Sequence, residues 1–145
     1  MNDAHKYTIV AGVDGSPPSV AALRWAAWHA AQTDGQIVAV MAWDQPLIYN
    51  WQVPESDDIA RRAATRLSEA VAEVVTESCA VTVRNEVASG HPARALLDAA
   101  EDVVVDLIAV GHRGHGGFTE ALLGSVSQHV MHHAHCPVVV VRNKD

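Results

Sequence analysis

Along the chain, short runs of β-branched and apolar residues alternate with longer alanine-rich stretches. Residues 7–13 are apolar and β-branched and predict a first strand. Ser16-Pro17 then reads as a helix start, with serine as the cap and proline pre-set for the first turn. Val20, Leu23, Ala27 and Ala31 follow at helical spacing, and Gly35 supplies the stop. Residues 36–43 predict a second strand, and 44–54 a loop carrying Pro46, Tyr49, Trp51 and Pro54. A second helix is expected over 56–79. Its buried stripe is Ala63, Leu67, Val71 and Val74, with Arg61, Arg62, Glu69 and Glu73 off that stripe. A third strand is expected over 80–88, a short third helix over 92–101 and a fourth strand over 105–110. The near-continuous apolar character of this fourth strand predicts burial on both faces. A glycine-rich stretch from Gly111 to Gly117 follows, then a last helix over 125–135 and a fifth strand over 137–142.

Strand and helix alternating in this way predict an α/β fold: a single doubly wound parallel sheet of five strands with helices on both faces, Rossmann-like, in one domain over 1–145. Ligands of such sheets bind beyond the carboxyl ends of the strands, where the strand order reverses. Two segments fall at such places. One is Asp14-Gly15-Ser16 after the first strand; the other begins at Gly111 after the fourth.

Composition narrows the partners. The 145 residues carry a net charge of −7, and Lys6 and Lys144 are the lysines. A protein that grips nucleic acid needs a basic surface to replace the counterions on phosphate, so no nucleic acid is expected. A small phosphate ligand remains open, because backbone amides bind anions without net positive charge. Cys79 and Cys136 sit beside apolar runs without a C-x-x-C spacing and read as reduced, mostly buried thiols. The opening residues are polar and lack the apolar region of a signal peptide, and no apolar run approaches bilayer-spanning length. The expectation is a cytoplasmic protein without membrane contact.

The candidate chemistry lies after the fourth strand. Gly111-His112-Arg113-Gly114 is followed by Gly124-Ser125, with nine residues between the second and third glycines. Glycines allow close backbone approach, so successive N–H groups can converge on an anion. Ser125 opens the last helix, where its hydroxyl, the N–H groups of Val126 and Ser127 and the helix dipole favour phosphate. Arg113 adds a cationic cover. Asp14, at the end of the first strand, suits the two hydroxyls of a ribose, and Met41-Ala42-Trp43 can offer backbone groups to the edge of a base.

Gly-x2-Gly-x9-Gly-Ser resembles the nucleotide-binding signature of the ATP-binding universal stress proteins. The flanks are similar too: Ile9-Val10-Ala11-Gly12-Val13-Asp14-Gly15-Ser16, Asp106-Leu107-Ile108-Ala109-Val110-Gly111, Leu122-Leu123-Gly124-Ser125-Val126-Ser127 and His135-Cys136-Pro137-Val138-Val139-Val140-Val141. The resemblance covers essentially the whole chain. It implies a sheet of order 3-2-1-4-5, ATP with Mg2+ in the cleft, and a homodimer built on the last strand. It further implies that Asp14 holds ribose, that Ala42 meets adenine through its backbone, and that Gly12 admits the ligand to the first strand. Gly111, His112, Arg113, Gly114, His115, Gly116, Gly117, Gly124, Ser125, Val126 and Ser127 would cradle the phosphates.

Other readings compete. His129 shares a helix face with His132 or His133, as metal-binding pairs do. The absence of a matching carboxylate motif, and the attraction of helix C-termini for histidine, make an incidental role the expected one. His112 and His115 suit phosphate contact better. Trp25, Trp28, Trp43 and Trp51 read as packing and surface residues. An ATPase or phosphotransferase would want a P-loop, and no lysine lies in the signature. A nucleotide pyrophosphatase would want more of a Ser-Gly-Gly-x-Asp-Ser loop than Asp14-Gly15-Ser16 provides. A phospho-accepting receiver domain would want acidic company for Asp14 and an earlier lysine than Lys144. The reading reached is a nucleotide-dependent regulatory or binding module in the stress response. Cyclic AMP is the competing ligand, and slow hydrolysis the competing activity.

Overall fold

The computed structural model describes residues 5–43, 56–76, 79–102, 104–113 and 123–143. Its elements in chain order are β1 (Thr8–Gly12), α1 (Pro17–Thr33), β2 (Gln36–Trp43), α2 (Ser56–Val74), β3 (Thr82–Ser89), α3 (Pro92–Asp102), β4 (Leu107–Gly111), α4 (Ser125–His133) and β5 (Val138–Val141). All neighbouring strands pair in parallel, in the order β3-β2-β1-β4-β5. The chain reverses its direction of travel across the sheet between β1 and β4.

Alternation along the strands divides the interior in two. Ile9, Ala11, Ile37, Ala39, Met41, Leu107 and Ala109 pack with Leu23, Ala26 and Ala30 of α1 and Ala63 and Leu67 of α2. Val10, Val38, Val40, Ile108 and Val110 pack on the other face with Ala93, Leu96 and Ala99 of α3 and Val130 of α4. Leu107, Ile108, Ala109 and Val110 are all buried, the two-sided burial that an unbroken apolar strand predicts.

Two helices end earlier than the pattern predicts. α2 stops at Val74, where the β-branched run Val74-Val75-Thr76 opposes helix continuation, and Thr76 instead accepts a turn hydrogen bond from Cys79 N–H. β3 accordingly begins at Thr82. α4 stops at His133, because Ala134 turns extended ahead of Pro137.

The start of α1 is closed by its own side chains. Ser16 caps the helix by accepting from Ser19 N–H, and Pro17 and Pro18 occupy the first turn. Gly15 takes a positive φ of 84° that lets the chain turn from β1 into this cap.

Candidate functional site

A cleft opens at the carboxyl ends of β1 and β4. It is lined by Gly12, Val13 and Asp14 after β1, Ser19 of α1, Val40 and Ala42 of β2, Pro92 and Leu96 of α3, Val110, Gly111 and Arg113 around β4, and Gly124, Val126 and Ser127 at α4. Both segments that the sequence singles out therefore face one cavity.

The wall from β1 is a small network. Asp14 Oδ1 accepts from Ser16 N–H (2.8 Å) and from Ser16 Oγ (2.5 Å), so this oxygen shapes the turn. Asp14 N–H donates to Ser19 Oγ (3.2 Å), which in turn donates to Ser16 C=O (3.0 Å). The carboxylate is thus held at the cleft wall by the same groups that cap α1.

The end of β2 reaches further than β1. Val13 N–H donates to Val40 C=O, the last rung from β1, while β2 continues to Trp43 against β3. Backbone groups of alternate strand residues point to the same side. The main chain of Ala42 therefore points to the side on which β1 has ended, facing the cleft.

The opposite wall is made of backbone. His112 N–H donates to Val141 C=O, and His112 C=O accepts from Gly124 N–H (2.7 Å) and from Ser127 Oγ (3.3 Å). This bracket ties the end of β4 to β5 and to the first turn of α4. A Cβ on Gly124 would stand 3.0 Å from Arg113 Cα, so the glycine lets α4 press its first turn against that chain. Gly124 is also the N-cap of α4, and among the described residues no side chain caps the helix there. Among the described residues the two helix starts at the cleft thus differ: the Ser19 amide of α1 meets the Ser16 hydroxyl, whereas the amides of α4 have no side-chain acceptor at the cap.

Of the residues the sequence marks, Gly12, Asp14, Ala42, Gly111, Arg113, Gly124, Val126 and Ser127 come together in the cleft lining. Three depart from their expected roles. Ser125 begins α4 but is exposed and is not among the lining residues. Ser127 lines the cleft, yet its hydroxyl is turned inward to donate to Gly124 C=O (2.9 Å). His112 is 3% exposed and outside the lining, and its main chain forms the bracket behind this wall. Its Nδ1 is the buried side-chain nitrogen without a hydrogen-bond partner among the described residues. Gly114, His115, Gly116 and Gly117 lie outside the described residues. Gly111 has a second task, since a Cβ there would stand 2.6 Å from Pro18 C. Part of its smallness serves the packing of α1 on β4.

Val13, Ser19, Val40, Pro92, Leu96 and Val110 complete the lining without having been marked. Their apolar or helix-start character is indistinguishable in sequence from core and capping positions. Among the described residues, no group of three or more His, Cys, Asp or Glu side chains is placed to hold a metal ion. No helix among them is long and apolar enough to cross a membrane.

Fold and cleft together define a doubly wound α/β protein with a cleft at its switch point, lined by apolar residues, glycines and a few polar side chains. The chain belongs to the universal stress protein family, whose family model matches residues 7–142. A universal stress protein of Mycolicibacterium smegmatis is 34% identical over the whole of this chain and 51% of its own length. One from Methanocaldococcus jannaschii is 32% identical over 92% of this chain and 81% of its own. The chain spans about half the length of several curated relatives it matches, those of Mycobacterium tuberculosis among them. Among solved structures, the universal stress protein UspA from Lactobacillus plantarum superposes with a TM-score of 0.80 at 25% identity, covering 97% of this chain and all of that one. A universal stress protein solved in complex with cAMP superposes at 0.74 and 25% identity, covering 95% of this chain and 98% of that one.

Proposed function

We propose that this chain binds an adenine nucleotide in the β1–β4 cleft, with ATP carrying Mg2+ as the ligand, and acts as a nucleotide-dependent binding module in the stress response. The observation that carries this reading is the contrast between the two helix starts: among the described residues α4 meets the cleft with no side-chain cap, and α1 is closed by Ser16. The N–H groups of a helix start and the positive end of the helix dipole suit a phosphate. Gly111 and Gly124 keep the neighbouring backbone bare, and Arg113 adds positive charge.

In this reading Asp14 accepts from the ribose, and the main chain of Ala42 meets the base edge between the apolar surfaces of Val40, Pro92 and Leu96. Mg2+ rides on the phosphates. Cyclic AMP is the second ligand to test, because one structural relative is a cAMP complex. Among the described residues the cleft offers positioning and electrostatics, and slow hydrolysis is the competing activity to measure as phosphate release.

One such domain occupies the chain, working in the cytoplasm. Two copies would pair through β5, a sheet-edge strand of four half-buried valines, and sedimentation of the purified chain reads that directly.

The binding test is calorimetric titration of nucleotide-free protein with MgATP, alongside the Val126→Glu variant. Val126 lies in the first turn of α4 and lines the cleft, so a carboxylate there suits the helix end while occupying the phosphate position. Wild-type protein should bind one MgATP per chain, and Val126→Glu should lose at least tenfold in affinity with an unchanged circular dichroism spectrum. Equal binding by both proteins would remove the phosphate from α4. Tighter binding of cAMP than ATP in the same cell would replace the ligand while keeping the cleft.

A further inference from the structure

The histidines of α4 are arranged in a way that sequence spacing alone does not disclose. The rings of His129 and His133 are stacked, with centroids 4.3 Å apart and planes 20° from parallel. His133 Nδ1 lies 2.9 Å from the carbonyl oxygen of His129. A carbonyl can only accept, so Nδ1 carries the proton and the lone pair of the neutral ring is on Nε2. A backbone carbonyl fixing the tautomer of a ligating histidine is a recurrent feature of metal sites.

We propose that His129 and His133 form a two-imidazole site for a divalent transition metal of the copper, nickel and zinc class on the outer face of α4. Imidazole suits these ions. Residues four apart on a helix bring their rings within reach of one centre. Metal–nitrogen bonds of about 2.0–2.1 Å require the two nitrogens to converge on one ion, and exposed side chains allow the small rotation this takes. The pair occupies the carboxyl half of α4, the end whose carbonyl dipoles favour a cation.

His91 approaches the pair from the start of α3, its ring centroid 6.3 Å from that of His129. Its Nδ1 accepts from Ala93 N–H (3.2 Å), so in the neutral ring the proton is on Nε2 and no lone pair faces the pair. With two side-chain ligands, the remaining coordination positions would be open to water.

The test uses the untagged full chain and Cu2+ as the probe, with binding followed by calorimetry and coordination by electron paramagnetic resonance. One Cu2+ per chain with a two-imidazole signature is expected. His129→Gln and His133→Gln should each weaken binding at least tenfold and leave a single-imidazole spectrum, while His132→Gln stays within about twofold of wild type. All three side chains are exposed, so the variants should fold, which circular dichroism checks. Copper affinity and spectrum unchanged in both His129→Gln and His133→Gln, or a larger loss in His132→Gln, would overturn the assignment. The readout does not involve the nucleotide, so it stands or falls independently of the cleft.

Discussion

At Gly111 two demands meet in one residue. It lines the cleft, and a Cβ on it would stand 2.6 Å from Pro18 C and 2.7 Å from Pro18 O. The obstacle is backbone, so Gly111→Ala must shift α1 against β4. We expect a loss of roughly 1–3 kcal/mol in urea unfolding, the range of overpacked sites. Gly12→Ala should behave differently, because its Cβ would meet the end of the Leu96 side chain at 3.0 Å, a group that can move. That variant should unfold within about 1 kcal/mol of wild type. Asp14 separates structure from binding in another way. The oxygen of an asparagine can still accept from Ser16 N–H and Oγ, so Asp14→Asn should keep the turn. It loses the charged acceptor proposed for ribose, and hydrogen bonds to charged groups contribute about 1.5–3 kcal/mol. ATP affinity should therefore fall roughly ten- to a hundredfold with stability nearly unchanged; unchanged affinity would place the ribose elsewhere.

The elements show why the sequence was readable where it was. Parallel strands buried on both faces are continuous apolar runs, and Ile9-Val10-Ala11 and Leu107-Ile108-Ala109-Val110 could hardly be anything else. Caps at Ser16 and prolines at the starts of α1 and α3 marked where helices begin. The orientation of individual side chains near the turns was not readable. Ser125 and Ser127 are two positions apart in α4, about 200° around a helix, so one is exposed while the other is buried. Only packing decides which. His112 follows the strand that leads into the site, and nothing in its spacing shows that its ring turns out of the cleft. Pro92 and Leu96 complete the wall from α3, but as apolar residues on an amphipathic helix they look like core.

At the far end of the sheet, Asp106 joins the starts of β1 and β4. Its Oδ2 accepts from Thr8 N–H (2.9 Å) and lies 2.7 Å from His5 Nε2. Burial works to raise the carboxyl pKa, but the Thr8 hydrogen bond and His5 outweigh it, and the carboxyl ends below its ordinary value. A depressed carboxylate pKa stabilises the fold above the unfolded value, and that stability is lost as pH falls through the folded one. Asp106→Asn should be less stable than wild type near neutral pH, and the gap should close as pH drops through and below 3.8. Urea midpoints at several pH values measure this; a gap that persists undiminished at low pH would assign the difference to packing.

For the whole molecule, two apolar layers on one sheet hold the ends of β1 and β4 side by side, and the reversal of strand order leaves the cleft between them. Gly12, Gly111 and Gly124 line that cleft together with Asp14, Ser19 and Arg113. A net charge of −7 is compatible with the proposed phosphate site, since backbone amides bind anions without net positive charge. The family membership agrees with the fold, and the nucleotide is the claim that joins fold to function. Its most direct measurement is to denature the freshly purified protein and identify what it releases by chromatography and mass, then titrate the emptied protein with MgATP. The account predicts an adenine nucleotide in the released fraction and saturable rebinding at one site per chain. Protein that comes away empty and gives no heat with MgATP or cAMP would contradict it.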